Sequence, residues 1–288
     1  MTEAKCPYMF SLIREYLEFV QMAYLTWPEN HKGLFFRGHA DEKWQLLPSS
    51  MRKDIRGAFP SEKELILDFR RVSVTEVDSR LKVENMLVEM KHYGLPTRML
   101  DWTISPLNAL YFACQDSYGD RMGANTDGLV CALNPWEAYR RIKVRLMPHP
   151  ELIDILKEAR LLLAKGWSYE KIRIFIERKY DYVISGDTLR VPVPFVGRYI
   201  VDSAVTSRNC YVLWGDGDNH YYSPSLYTSL EKFSEYDGCM LQFRIPYEKK
   251  AALLTILRQL GVDNFTIFPD RLGVRKEIAE TGSLFNYR

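Results

Sequence analysis

The sequence predicts an α+β fold: a mixed, mainly antiparallel sheet with surrounding helices and a helical insertion. Three observations lead there. Short apolar runs that read as strands (33–38, 128–133, 240–245 and 265–268) are scattered along the chain. They are separated by stretches of helical period without the regular strand–helix–strand alternation of a parallel sheet. Between 135 and 180 the periodicity is helical only.

The elements follow in order. Residues 9–25 carry an amphipathic pattern that ends at Pro28. Gly33-Leu34-Phe35-Phe36-Arg37-Gly38 is an apolar run closing on Arg-Gly, as expected of a buried strand that emerges at a site. Residues 62–92 read as one or two helices, with Leu65, Phe69 and Val72 at helical spacing. After the loop 94–98, Ser105 suits a helix N-cap and Pro106 its first turn, with Leu107, Leu110 and Tyr111 facing inward. Leu152, Leu156, Ala159 and Leu163 keep helical spacing up to Gly166, and Ser168 caps a second helix carrying Ile172, Phe175 and Ile176. Val191-Pro192-Val193-Pro194 restarts extended backbone, because alternating prolines exclude helix. A last helix places Leu253, Ile256, Leu257 and Leu260 on one face and stops at Gly261. The expected organisation is one α+β domain in two parts, 1–134 and 191–288, around a helical insertion at 135–190 that forms a lid or subdomain.

Bulk properties exclude several classes. With 288 residues, 47% of them hydrophobic, the chain can bury a substantial core. The formal net charge of +2 gives no general electrostatic case for a nucleic-acid binder, although a local basic patch remains open. The five cysteines are odd in number, widely spaced and without a Cys-x-x-Cys pair, which suits reduced, buried thiols rather than disulfides or zinc. The N-terminus lacks a signal-peptide pattern, and no run approaches the roughly 18 apolar residues of a membrane span. The expectation is a cytoplasmic protein without membrane contact. No P-loop, dinucleotide fingerprint or nucleophile elbow is present.

Chemistry-bearing residues concentrate in His92-Tyr93-Gly94-Leu95-Pro96-Thr97-Arg98-Met99-Leu100-Asp101-Trp102-Thr103. The segment runs into a helix N-terminus, where free N–H groups favour an anion. Arg98 can clamp a phosphate or carboxylate through its planar fork, and Asp101 can orient Arg98 or hold a ribose hydroxyl. The structural alternative is a buried Arg98–Asp101 pair with Thr103 closing the turn and Trp102 in the core. Arg37 either anchors a ligand or pairs with a carboxylate, and Gly38 lets the backbone turn or approach a ligand. His92 is the histidine best placed for acid–base work, with a hydrogen-bonded structural histidine as the alternative. The other histidines, His31, His39, His149 and His220, have no metal-ligand spacing. Asp270 reads as a catalytic group or a helix cap, and Asp216-Gly217-Asp218 as a turn.

Phe35-Phe36-Arg37-Gly38-His39, Trp44-Gln45-Leu46-Leu47-Pro48-Ser49, the 92–103 segment and Ser105 to Ala113 together resemble the FRG domain family, named for its Phe-Arg-Gly motif. Phe265 to Asp270 continues the resemblance. Two features depart from the family pattern: Lys91 stands where members usually carry Gln, and Ser207 to Tyr211 lacks the family's Gln and Gly. The layout is similar to ADP-ribosyltransferases, and that similarity implies an ADP-ribosyltransferase-like fold that uses NAD as a substrate. It implies that Arg37, Gly38, Tyr93, Arg98 and Thr103 hold the nucleotide while His92 and Asp101 orient the ribose. The later-strand Glu of those enzymes has its nearest candidates in Glu231 and Glu235. The implied function is an ADP-ribosyltransferase or NAD glycohydrolase, acting as a toxin or antiphage effector on a nucleic-acid or protein acceptor under control of a regulatory antitoxin. The alternatives are a nucleotide- or RNA-binding module without catalysis and a metal-independent nuclease.

Overall fold

The computed structural model describes residues 9–27, 33–52, 58–72, 83–115, 125–146, 149–196, 208–215, 229–269 and 278. His31, His220, Asp216 to Asp218 and Asp270 lie outside them. Six strands form one sheet: β1 (Phe35–His39), β2 (Met99–Thr103), β3 (Gly128–Leu133), β4 (Val193–Phe195), β5 (Asn209–Leu213) and β6 (Met240–Ile245). Their order is β4-β5-β2-β1-β3-β6. Every pairing among the described residues is antiparallel, where mixed pairing was expected. The long connection from β1 returns to the sheet at the end it left, so β2 runs against β1 rather than crossing over to lie parallel.

The helices are α1 (Met9–Thr26), α2 (Glu62–Val72), α3 (Val83–His92), α4 (Pro106–Cys114), α5 (Pro135–Arg145), α6 (Leu152–Ala164), α7 (Tyr169–Tyr180), α8 (Gly186–Arg190), α9 (Tyr247–Gln259) and α10 (Asn264–Ile267). The last of these replaces the strand expected at 265–268. Asp263 accepts from the Thr266 amide at 2.7 Å and Thr266 Oγ1 from the Asp263 amide at 2.9 Å. This reciprocal cap turns an aromatic and β-branched run into a helical turn.

Strand alternation sends side chains to two faces. On one, Phe35, Leu100, Trp102, Cys131 and Val212 share a cluster with Ile155, Leu156 and Ala159 of α6 and Ile172 and Ile176 of α7. The 135–190 segment is therefore built into the core and covers this face of the sheet. On the other, Leu34, Phe36, Val130 and Ala132 pack against Tyr16 and Phe19 of α1, Leu110 of α4 and Leu253 and Leu257 of α9. Beside them α2 and α3 cover Met99, Tyr211 and Leu213.

α4 lies so close to β1 and β3 that side chains are excluded at two points. A Cβ on Gly38 would meet the Ala109 carbonyl oxygen at 1.9 Å, and one on Gly128 the Ala113 carbonyl oxygen at 2.2 Å. Ser105 caps α4, accepting from the Asn108 amide, and Tyr16 of α1 donates to the Pro106 carbonyl at 2.6 Å. Cys114, Cys131, Cys210 and Cys239 are buried free thiols. Among the described residues no helix is long and apolar enough to cross a membrane, and no group of three or more His, Cys, Asp and Glu could hold a metal.

Candidate functional site: a cationic split in the sheet

The sheet divides at its centre. β1 pairs with β3 over five residue pairs, and β2 with β5 over five, whereas β1 and β2 share the single pair Phe36–Thr103. Beyond that pair the strands part, and backbone groups facing the gap need other partners. Arg37 supplies one: its Nη1 donates to the Asp101 carbonyl, while its Nε donates to His39 Nε2 at 2.9 Å. Arg37 and His39 are two residues apart on β1, so both side chains leave the same face.

From the α3 side Lys91 reaches the same place. Its Nζ donates to the Met99 carbonyl and pairs with Asp101 Oδ2, each at 2.9 Å. A third cation comes from Arg52, at the end of the 3-10 turn Ser49–Met51, with its Nε donating to the Leu47 carbonyl at 3.1 Å. Its charge acts on Arg37, His39 and Lys91 alike. Arg37 and Lys91 thus meet at Asp101, whose side chain is 41% exposed, with the Arg52 charge acting on both cations.

The electrostatics are those of a cationic, partly dehydrated cleft. Burial lowers Arg37 to about 10; Asp101 offsets part of this and Arg52 adds to it. Burial likewise lowers Lys91, with Asp101 opposing. His39 is 1% exposed and is held well below its ordinary value by burial and then by Arg37 and Arg52, so its ring is neutral. Cys131, the register partner of Arg37, is pushed up to about 12 by burial, which leaves it an inert thiol.

The expected site residues separate into groups. Arg37 and Asp101 meet as described. Glu231 is exposed on the 3-10 turn Leu230–Lys232, and its charge is felt at Cys131, beside Arg37. Glu235 points away, 2% exposed and paired with Arg145. Arg98 is not presented to the cleft. At 4% exposure its Nε pairs with Glu62 at 2.5 Å, its amide donates to the same carboxylate at 2.7 Å, and its Nη1 donates to the Gly215 carbonyl at 3.2 Å. Its partner is therefore Glu62, and Asp101 is taken by Lys91. Thr103 is buried and accepts from the Ser105 amide at 2.9 Å, closing the turn into α4. Trp102 is core, 2% exposed. Gly38 serves the contact with α4. His92 is half-buried at the end of α3, edge-on to Tyr93 with ring centres 5.3 Å apart. Tyr93 is 67% exposed and meets Phe69 of α2 at 6.2 Å.

Sequence reasoning missed Arg52, His39 and the role of Lys91. Period two along β1 could have paired His39 with Arg37. Nothing local marks Arg52, which only the fold brings to the cleft.

The fold and site define a class: an antiparallel α+β domain, parted at mid-sheet around a cluster of cations suited to an anionic ligand. Residues 32–121 match the model of the FRG domain, and this part of the chain is similar to that family. The matched stretch runs from β1 through α4 and so contains Arg37, Arg52, Lys91 and Asp101. No curated protein and no solved structure matches the chain.

Proposed function

We propose that the split between β1 and β2 binds NAD through its pyrophosphate, and that the protein cleaves the nicotinamide–ribose bond, passing ADP-ribose to a macromolecule or to water. The observation that carries this reading is that Arg37 and Lys91 meet at Asp101, within the field of a third cation, Arg52. Such a cluster favours a ligand carrying more than one negative charge, and partial burial strengthens each contact. In the reaction the C1′–N bond breaks with its electron pair leaving on nicotinamide. An acceptor oxygen then bonds to C1′ and gives up its proton. A carboxylate stabilises the positive charge that develops on the ribose. Exposed Glu231, whose charge acts on Cys131, the register partner of Arg37, is the carboxylate assigned to that role. An enzyme of this kind suits a toxin or antiphage effector held in check by a partner.

One observation favours a second reading, a nucleotide- or RNA-end binder without chemistry: Lys91 already neutralises the Asp101 carboxylate. Thermal-shift binding of NAD and ADP-ribose, with nicotinamide release, separates the two. Wild type is expected to be stabilised by both ligands and to release nicotinamide. Arg37→Ala is expected to do neither while keeping its far-ultraviolet circular dichroism. A shift without release supports the binder; neither shift nor release removes NAD and turns the search to nucleic-acid ligands.

A further inference from the structure

We propose that His39 is the positioning residue of this site: as a neutral hydrogen-bond acceptor it fixes the Arg37 guanidinium so that only the Nη edge is offered to a phosphate. The inference deepens the anion-site reading above and rests on it.

The argument begins with donor counts. A guanidinium has five N–H groups and no acceptor. Arg37 spends the Nε proton on His39 Nε2 at 2.9 Å and one Nη1 proton on the Asp101 carbonyl. The side of the fork containing Nε is therefore occupied by protein, and the ligand meets the remaining Nη protons end-on. Two fixed contacts, one to its own strand and one across the split, define the guanidinium plane.

Only a neutral imidazole can do this. A protonated ring has two donors and no acceptor, so it would break the bond to Arg37 and place a second cation against it. The surroundings enforce neutrality: His39 is 1% exposed and stands within the fields of Arg37 and Arg52. With Nε2 accepting, the proton sits on Nδ1. That atom is buried without a well-formed hydrogen bond, offset in part by the Trp44 backbone. A fold that leaves a buried ring nitrogen so poorly satisfied gives up stability there. The return is a guanidinium held in place before the ligand arrives.

The test separates accepting from Arg37 from simply filling space. In His39→Gln the side-chain oxygen can take the place of Nε2; in His39→Leu nothing accepts. With inorganic pyrophosphate and ADP-ribose as probes in calorimetry, His39→Leu is expected to bind about tenfold or more weakly, the scale of one hydrogen bond to a charged group. His39→Gln is expected to stay within about threefold of wild type. Should His39→Leu not fold, the same bond is read in the wild-type protein. A two-nitrogen scalar coupling between Arg37 Nε and His39 Nε2, with ring shifts of the Nδ1–H tautomer, is expected before any ligand is added. Wild-type affinity in His39→Leu, equal losses in both folded variants, or no coupling overturns the inference while leaving the anion site standing. If wild type binds neither probe, the anion-site reading fails and this inference fails with it.

Discussion

Gly38 and Gly94 are both glycines of the matched region, yet different physics holds each in place. Gly38 lies in a strand with no left-handed backbone; its constraint is the Ala109 carbonyl, 1.9 Å from where a Cβ would be. That neighbour is helix backbone, which cannot step aside as a side chain can. Gly94 has φ +81° and open space around its missing Cβ, so its constraint is conformational only. It ends α3, with the Leu95 amide donating to the Met90 carbonyl at 2.9 Å. Gly38→Ala is expected to lose about 3 kcal/mol or more, the upper end of overpacking costs. Gly94→Ala is expected to lose about 1–2 kcal/mol, the cost of a left-handed alanine. Urea denaturation of both variants checks the order; equal losses would mean that α4 can shift off the strand. The glycine of the Phe-Arg-Gly motif is thus a packing residue, next to an arginine that bridges the split to the Asp101 carbonyl.

At the scale of elements, Arg98 and Glu62 fasten the start of α2 to the start of β2. The two residues are 36 positions apart, and both side chains are almost fully buried. Removing Arg98 takes the opposite charge away from a buried carboxylate, so Arg98→Met is expected to destabilise by about 3–5 kcal/mol. The double variant Glu62→Met/Arg98→Met removes both charges and is expected to recover part of that. Recovery is incomplete because the Arg98 amide, which donates to Glu62 at 2.7 Å, keeps no partner, at about 1–3 kcal/mol. Denaturant midpoints of the three proteins measure the cycle. In the folded fraction of Arg98→Met, ADP-ribose affinity is expected to match wild type; a large loss would return Arg98 to the site. The same elements show what was legible from sequence. The α4 cap at Ser105 and the stop of α6 before Gly166 were readable because cap and period are local signals. The Glu62 partner was not, because choosing among carboxylates needs the tertiary fold, and the nearer Asp101 looked sufficient.

Over the whole molecule, the six-strand sheet was only partly legible. The apolar runs of β1, β3 and β6 announce themselves by their residues; β2 and β5 do not, and order and direction depend on where long connections return. The split at β1 and β2 could not be read at all, since it consists of backbone pairs that do not form. The site followed the same rule. Arg37 and Asp101 were visible in their motifs, while Arg52 joins them only through the fold. This dependence has a consequence for the whole protein's response to acid. Burial, then the charges of Arg37 and Arg52, hold His39 well below the ordinary value of 6.5, with the Trp44 backbone offsetting a part. Its folded value is thus depressed relative to the unfolded chain. Below pH 6.5 the unfolded chain takes up a proton that the fold refuses. Stability is complete above that pH and falls as pH drops, by about 1.4 kcal/mol per unit until the folded value is reached. Carboxylate effects lie lower. Arg140 and then Arg141, working against burial, hold Glu137 at about 2, so its contribution fades only below its ordinary 4.5. Between pH 6.5 and 5, urea denaturation should therefore show wild type losing up to about 2 kcal/mol more than His39→Gln, which has nothing to titrate there. Equal slopes for the two proteins would mean that His39 gains its proton inside the fold, and with it loses the means to accept from Arg37.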